Sequence, residues 1–584
     1  MGGPLFRRNR FTLLAFACCL PGLGACSIFA PSNNTQPPPP ALPMHAVRVD
    51  SVGYVTGREK TVTIVLPDGM SSLSDTSADV RAAANDTVVW SCTVTGPVMD
   101  PDTGATVYIG DFTAFTEAGD FYISVPGLLV GGKPATSAPF HVGPDTFRDA
   151  LTRAMLGMYG QRCGQAVSIQ IGNQRWSHKA CHQNDAYLNY LTGDSTKKPS
   201  LGGWHDAGDY GKYVTNGAFA AGMMLAAWEH FQPTLAALSI DAIPEHGGPL
   251  PDFLSEVKWE LDWLLTTQGA DGSVSHKVTA TDFEGFVMPE KDGQMRYYTP
   301  VGTAATGDMV AVMAQAARIY GAFSDPASQK AAADYLAAAR LGYAFLAANA
   351  GPVVPDISSS FKTGGYWQQS DAGNRLWAAA ELWETTGEAS FLADFESQVG
   401  TPTVDASFDW GTVRNLGLFT YLLSKRDGRD ATVLAGLTAS ATSVADTLTT
   451  NAQASAFGRG ISGYWWGSNG SVARSAMNLW VANQLSPNAK YLDAIALQLD
   501  HLLGRNIYDR TQVTGLGYNP PLKPHHRPSA SDGIFDPWPG LLVGGSNPGA
   551  TAWTDDTNDY QVNEVAINWV AAFVYATAAL TPAP

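Results

Sequence analysis

A change of texture near Pro144 constrains this chain more than any other feature. Before it, short β-branched or alternating runs recur at 47–50, 61–65, 88–90, 106–109 and 121–125, with Gly, Pro and Asp between them. That punctuation predicts a small antiparallel β-sandwich of immunoglobulin type over 45–142. After it, strand patterns nearly vanish. Ala- and Leu-rich stretches with three-and-four spacing follow at 147–161, 217–231, 253–267, 304–320, 328–347, 376–386, 411–423, 431–449, 472–484, 491–503 and 564–580. Such spacing predicts helices. About eleven of them, joined by long Gly/Pro loops, fit two concentric rings of six, an (α/α)6 toroid over 143–584 in a mainly α chain.

Composition narrows the function classes. The 584 residues are 45 % hydrophobic and only 15 % charged, which excludes a disordered or coiled-coil protein. Lys and Arg number 36 against 53 Asp and Glu, a formal charge of -17, so a phosphate-backbone binder is excluded. No Gly-x-Gly-x-x-Gly opens a helix after a strand and there is no phosphate loop, so nucleotide use has no support.

The N-terminus reads as an export signal over 1–26. Arg7, Arg8 and Arg10 precede an apolar run at 11–20 that is too short to anchor in a bilayer. It ends in Leu23-Gly24-Ala25-Cys26, which resembles a bacterial lipobox, so cleavage before Cys26 would free a thiol for lipidation. The expectation is an outer-membrane-anchored lipoprotein, periplasmic or at the cell surface. The alternative is a secreted protein with an ordinary signal and a chance Cys. Residues 27–44, with Pro37 to Pro40, form a stiff tether. Once Cys18, Cys19 and Cys26 are set aside, only Cys92, Cys163 and Cys181 of the six cysteines remain, too few for a disulfide scaffold.

Three loops carry chemistry. Residues 202–213 place Asp206 and Asp209 three apart among Gly, Trp204, His205, Tyr210 and Tyr213. One Asp there would serve as a helix cap; two so close cannot both ionise freely without partners. Residues 511–527 end in Pro524-His525-His526-Arg527, suited to holding hydroxyls, though a solvated basic turn would read the same way. Residues 553–566 run from Asp555 and Asp556 through Tyr560 to Glu564, followed by Val, Ala and Ile. Acids there would complement a helix dipole, but a carboxyl in apolar surroundings also gains the raised pKa that a general acid needs.

Together these loops resemble glycoside hydrolase family 9, the inverting β-1,4-glucanases, in order and spacing. Segments 302–315 and 376–382 resemble family segments too, and a β domain ahead of the helices matches the subgroup with an N-terminal immunoglobulin-like module. The resemblance covers 45–584. It implies Asp209 as base, Asp206 as a holder of the attacking water, Glu564 as general acid, and His525 and Arg527 on the sugar beside the cleavage point, with Tyr560 in the same segment. The expected partner is a β-1,4-glucan or cello-oligosaccharide, bound by a monomer. Fifteen of the sixteen Trp follow residue 144, and sugar rings stack on flat aromatics; Trp465, Trp466 and Trp538 are the groove candidates, whereas Trp259, Trp263 and Trp377 read as core.

Cys163, Cys181, His182 and His205 make a closed tetrahedral zinc set, with His178 as an alternative fourth ligand. A Cys163–Cys181 disulfide is the competing reading for an exported protein. The resemblance implies a structural zinc at these positions. It also implies calcium bound by an Asp-Glu pair ahead of Trp377, but Gly373 and Asn374 stand there, which puts calcium in doubt. Val570 departs from the family's Asn. The alternatives in function are an exo-acting cellodextrinase, β-glucosidase or glucosaminidase of the same fold, a non-catalytic glucan-binding lipoprotein, and a polysaccharide lyase on a helical toroid.

Overall fold

The computed structural model describes residues 42–189, 194–355 and 359–584. The signal, Cys26 and nearly all of the tether lie outside the described residues.

Each β-rich run of the sequence lies in or overlaps a strand. The sandwich comprises Val47–Arg48, Gly53–Val55, Thr61–Val65, Ser77–Ala82, Val88–Met99, Thr106–Asp111, Gly119–Val130, Lys133–Thr136 and Phe140–Gly143. Val88–Met99 pairs with Ser77–Ala82 along its first half and with Thr106–Asp111 along its second, so it crosses from one layer to the other. Alternation along these strands buries Val62, Ile64, Val80, Ile123 and Val125 between the layers.

Among the described residues fourteen α-helices follow: α1 (Arg148–Gly160), α2 (Val214–Ala236), α3 (Asp252–Thr266), α4 (Thr303–Tyr320), α5 (Pro326–Ala348), α6 (Ala372–Thr386), α7 (Ala389–Gln398), α8 (Arg414–Leu423), α9 (Ala431–Ala454), α10 (Ser468–Leu485), α11 (Ala489–Leu502), the short α12 (Arg527–Ser531) and α13 (Tyr560–Asn563), and α14 (Ile567–Leu580). Helices α2, α4, α6, α8, α10 and α14 pack each on the next and close into an inner ring; α1, α3, α5, α7, α9 and α11 pack outside it. This is the (α/α)6 toroid. Ring position follows from the sequence: inner α14 is buried nearly all round, whereas outer α9 buries only a stripe of Leu437, Ala441, Ala445, Leu448 and Ala452.

Three details differ from the sequence expectation. Helix α7 was hidden because its ten residues offer only Phe391, Leu392 and Phe395 to the core. Helix α2 continues past residue 231, with a kink at Phe231 ahead of Pro233, whose ring removes a backbone donor. Helix α14 starts at Ile567, not at 564. Residues 564–565 are drawn out as extended chain, because Glu564 bridges to His525 and Val565 to Val543. Strands also persist after Pro144. Asp194–Lys197, Tyr187–Asn189, Tyr297–Tyr298, Lys277–Thr279 and Lys212–Tyr213 form a five-stranded sheet beside the inner ring. Among the described residues no helix is long and apolar enough to cross a membrane.

Candidate active site

Loops entering the inner helices converge on one face of the toroid. Asp206 and Asp209 precede α2, Gly364 to Tyr366 precede α6, Asp409 and Trp410 precede α8, Trp466 precedes α10 and Glu564 precedes α14. All of them line one cleft of about 320 Å³, with Phe283 and Tyr213 completing it. The N-terminal ends of helices favour negative charge, so this face suits carboxylates.

The Asp206–Asp209 turn is held from every side. Gly211 receives the Asp206 N–H through its carbonyl at 3.0 Å, and Ile567 at the start of α14 donates to the Asp206 carbonyl at 2.9 Å. Gly208 is required for packing: a Cβ there would lie 2.2 Å from the His525 carbonyl oxygen. Asp206 Oδ1 accepts from Asn216 Nδ2 at 2.6 Å and Oδ2 from the Tyr366 hydroxyl at 2.7 Å. Asp209 Oδ2 accepts from the Tyr213 hydroxyl at 2.8 Å and from the Gly211 N–H at 3.1 Å. Burial, and then the charge of Asp209, pushes the Asp206 carboxyl up to about 8.

Glu564 enters the cleft from extended backbone, with its carbonyl accepting from Gly544 N at 2.8 Å. Burial pushes its carboxyl well above the usual range. The charges of Asp209 and Asp206 push the same way, and Arg527 opposes them. Asp555 ties the strands of chain that carry this residue. It accepts from Arg510 at 2.8 Å, from Leu522 N and Lys523 N at 2.8 Å each, and from Asn563 Nδ2 at 3.2 Å.

The aromatic and basic candidates divide. Trp466 is 46 % exposed and lines the cleft; its ring meets Tyr560, 44 % exposed, at 5.2 Å. His525 packs between Phe286 and Tyr560, with Nδ1 on the Thr557 carbonyl at 2.7 Å. Trp465 is half-buried against the toroid core. Trp538 is corrected: only 1 % exposed, it lies on Gly160 of α1 and donates Nε1–H to Asp532 at 3.0 Å, so it is core and not groove. Arg527 is also buried and engaged by the protein itself. Its guanidinium donates to the Gly208 carbonyl at 2.7 Å and the Glu284 carbonyl at 3.0 Å, and pairs with the Glu284 carboxylate at 2.6 Å. It braces the Asp206–Asp209 turn from behind.

Behind the same turn, Cys163, Cys181, His182 and His205 bring their ligand atoms within 4.8 Å of one another. Cys163 Sγ lies 3.6 Å from His182 Nδ1 and Cys181 Sγ 3.8 Å from His205 Nε2. A tetrahedral ion with ordinary Zn–S and Zn–N bonds sets such edges at about 3.5 Å. The remaining His182 nitrogen faces Asp292 at 3.2 Å and Gly164 N–H points at Cys181 Sγ at 3.5 Å, the outer contacts that orient metal ligands. Both cysteines are free, and His178 stands apart with Nδ1 on the Lys179 carbonyl. At the calcium positions, Gly373 backs onto Arg414 and Asn374 is buried, donating to Asp308 at 2.7 Å.

The structure adds residues that sequence reasoning missed: Tyr366, Asp409, Trp410, Phe283 and Asn568 in the cleft. Asp409 accepts from Asn568 at 3.1 Å and pairs with buried Arg474 at 3.1 Å. Tyr366 and Trp410 share one signal, position, since Tyr366 follows Gly364-Gly365 and Trp410 precedes Gly411, both just ahead of helical stretches.

Comparison with known proteins agrees with this geometry. A model of glycosyl hydrolase family 9 matches residues 147–577, and one of the cellulase N-terminal ig-like domain matches residues 43–129. Endoglucanase D of Acetivibrio thermocellus is 44 % identical over 537 residues, spanning 91 % of this chain and 83 % of that protein. A metagenome-derived family 9 endoglucanase superposes with a TM-score of 0.82 at 34 % identity, covering 92 % of this chain and 99 % of its own. A Zn-binding triple mutant of another family 9 endoglucanase also gives 0.82, at 30 % identity over 91 % of this chain and 100 % of its own.

Proposed function

The chain belongs to glycosyl hydrolase family 9, and on that premise we propose that it is an endo-β-1,4-glucanase that cleaves with inversion at the anomeric carbon. The observation that carries the mechanism is the unequal treatment of three carboxyls in one cleft. Glu564 is pushed upward by burial and by two neighbouring acids, as a group that must hold a proton at neutral pH. Asp209 accepts from the Tyr213 hydroxyl and the Gly211 N–H, which aim its carboxyl. Glu564 then protonates the glycosidic oxygen while Asp209 takes a proton from water attacking the opposite face. Asp206, fixed by Asn216 and Tyr366, holds that water. The exposed rings of Phe283 and Trp466 in the cleft, with Tyr560 beside Trp466, support a glucan laid across it and not a single sugar. The test is a product time course on carboxymethyl cellulose and cellopentaose. A rapid fall in viscosity with mixed oligosaccharides is expected; monosaccharide released from one end alone would refute the endo mode.

The Cys163, Cys181, His182 and His205 set holds a structural zinc in this proposal. All four positions of the ion are filled by protein, so it contributes cross-linking and not chemistry, tying His205 and the adjoining Asp206–Asp209 turn to the Cys163 and Cys181 segments. One equivalent of zinc and two thiols released by chelation are expected. A Cys163–Cys181 disulfide in a peptide map would overturn it. The Leu23-Gly24-Ala25-Cys26 segment supports export and lipid attachment at Cys26 at the outer membrane. Labelled palmitate incorporation lost in Cys26→Ser checks the anchor.

A further inference from the structure

We infer that Lys277 is a positioning residue for hydrolysis: its buried ammonium pins the segment Thr363 to Tyr366 and, through the ring of Tyr213, holds Asp209 in place. This rests on the reading of Asp209 as the base.

Lys277 is completely buried, directly opposite Tyr213 on the neighbouring strand. Its Nζ donates to the Gly364 carbonyl at 2.6 Å, to Thr363 Oγ1 at 3.1 Å and to the Thr363 carbonyl at 3.3 Å. All three partners are neutral oxygens. A buried ammonium answered only by neutral groups is costly, and an apolar side chain of similar length would fill the space at lower cost. The charge therefore calls for a use, and what lies around it supplies one. Nζ stands 5.3 Å from the centroid of the Tyr213 ring, and the Tyr213 hydroxyl donates to Asp209 Oδ2 at 2.8 Å. A cation beside the ring draws electron density from the phenol and strengthens that donor.

Gly364 closes the arrangement. Its carbonyl accepts from Lys277 while its N–H donates to the Tyr213 hydroxyl at 3.1 Å, so the backbone of one residue fixes both ends of the relay. A side chain at Gly364 would meet the Tyr213 ring at 3.2 Å. His276, next to Lys277, adds a second pin through Nε2 on the Gly365 carbonyl at 2.7 Å. The segment then turns through Tyr366, at φ 54, whose hydroxyl reaches Asp206. One strand thus orders the supports of both aspartates without touching either. Burial pushes the Lys277 ammonium down to about 8, and the charges of Asp209 and Asp206 resist that fall, as expected of a cation serving them.

The test is a double-mutant cycle in the full-length enzyme. Lys277→Met keeps the stem and removes the charge. It should lower kcat by about thirtyfold with KM within about twofold, and Tyr213→Phe should lower kcat by about tenfold. Because both act through one relay, the double variant should be no slower than Lys277→Met by more than about twofold. Wild-type kcat in Lys277→Met, a loss confined to KM, or losses that multiply would overturn the inference. Should Lys277→Met fail to fold, Tyr213→Phe decides alone, and wild-type kcat there would overturn it. Asp209→Asn is run alongside: activity in that variant brings down the role of Asp209 itself, whereas an inactive Asp209→Asn beside a fully active Lys277→Met overturns only the role of Lys277.

Discussion

The two ends of the inner ring both hold carboxylates, and they answer them with different partners. Toward the C-terminal ends of α2, α4 and α6, Glu229 and Glu381 flank Arg318. Arg318 donates to Glu229 at 2.6 and 2.9 Å and to Glu381 at 2.5 Å. Gln315 and Thr420 satisfy further oxygens. Desolvation works against the charged form of Glu229, yet Arg318 holds its carboxyl below the usual range, whereas burial keeps the Glu381 carboxyl raised despite Arg318. At the N-terminal ends, Asp206, Asp209 and Glu564 share one cleft, and Asp206 and Asp209 are answered by hydroxyl, amide and N–H donors. There the carboxyls of Asp206 and Glu564 are driven upward by burial and then by the charge of Asp209, with Asp206 adding to the push on Glu564. The first cluster is bonded directly to an arginine; the second, answered by neutral donors, is kept ready to move protons.

Breaking each end should therefore fail in different currencies. Glu564→Gln and Asp209→Asn should each lower kcat by about a thousandfold, measured on carboxymethyl cellulose, with an unchanged melting curve. Arg318→Met strands the buried carboxylate of Glu381 and unpairs the partly exposed Glu229, and should cost about 1–3 kcal/mol in denaturant unfolding, while the folded fraction keeps its kcat. The two tryptophans sharpen the same contrast. Trp538→Ala should lose about 3–5 kcal/mol of stability with KM unmoved, and Trp466→Ala should raise KM about tenfold, or 1.4 kcal/mol, with stability unmoved. Tyr366→Phe removes one donor to Asp206 and should lower kcat by about tenfold. The pH profile follows from Glu564. The acid must be protonated, and its carboxyl is raised, so activity should persist at neutral pH and fall only as pH climbs through that raised value.

Much of this was legible before folding, and the pattern of what was not is instructive. Asp206, Asp209 and Glu564 announce themselves because carboxylates crowd loops that also hold Gly and aromatics. The ring of helices is written in Ala and Leu spacing. The support of the aspartates is not. Lys212–Tyr213 and Lys277–Thr279 are strands of two and three residues, too short to show a period, and Gly364 to Tyr366 carries no charge. Only the tertiary fold brings Lys277 to Gly364. Trp466 and Trp538 look alike in sequence, each in a Gly- or Pro-flanked loop, and burial alone separates them. The apolar run after Glu564 continues a helical pattern, but pairing of residues 564–565 with 525 and 543 outweighs that local preference and frees the acid from the helix.

The stereochemistry of the first-formed product tests the division of labour between Glu564 and Asp209 most directly. Proton NMR during the first minutes of cellopentaose hydrolysis should show the α-anomer of the new reducing end, with the β-anomer growing only through mutarotation. A β-anomer formed first would mean a covalent glycosyl-enzyme, and would contradict Asp209 acting as a base on water.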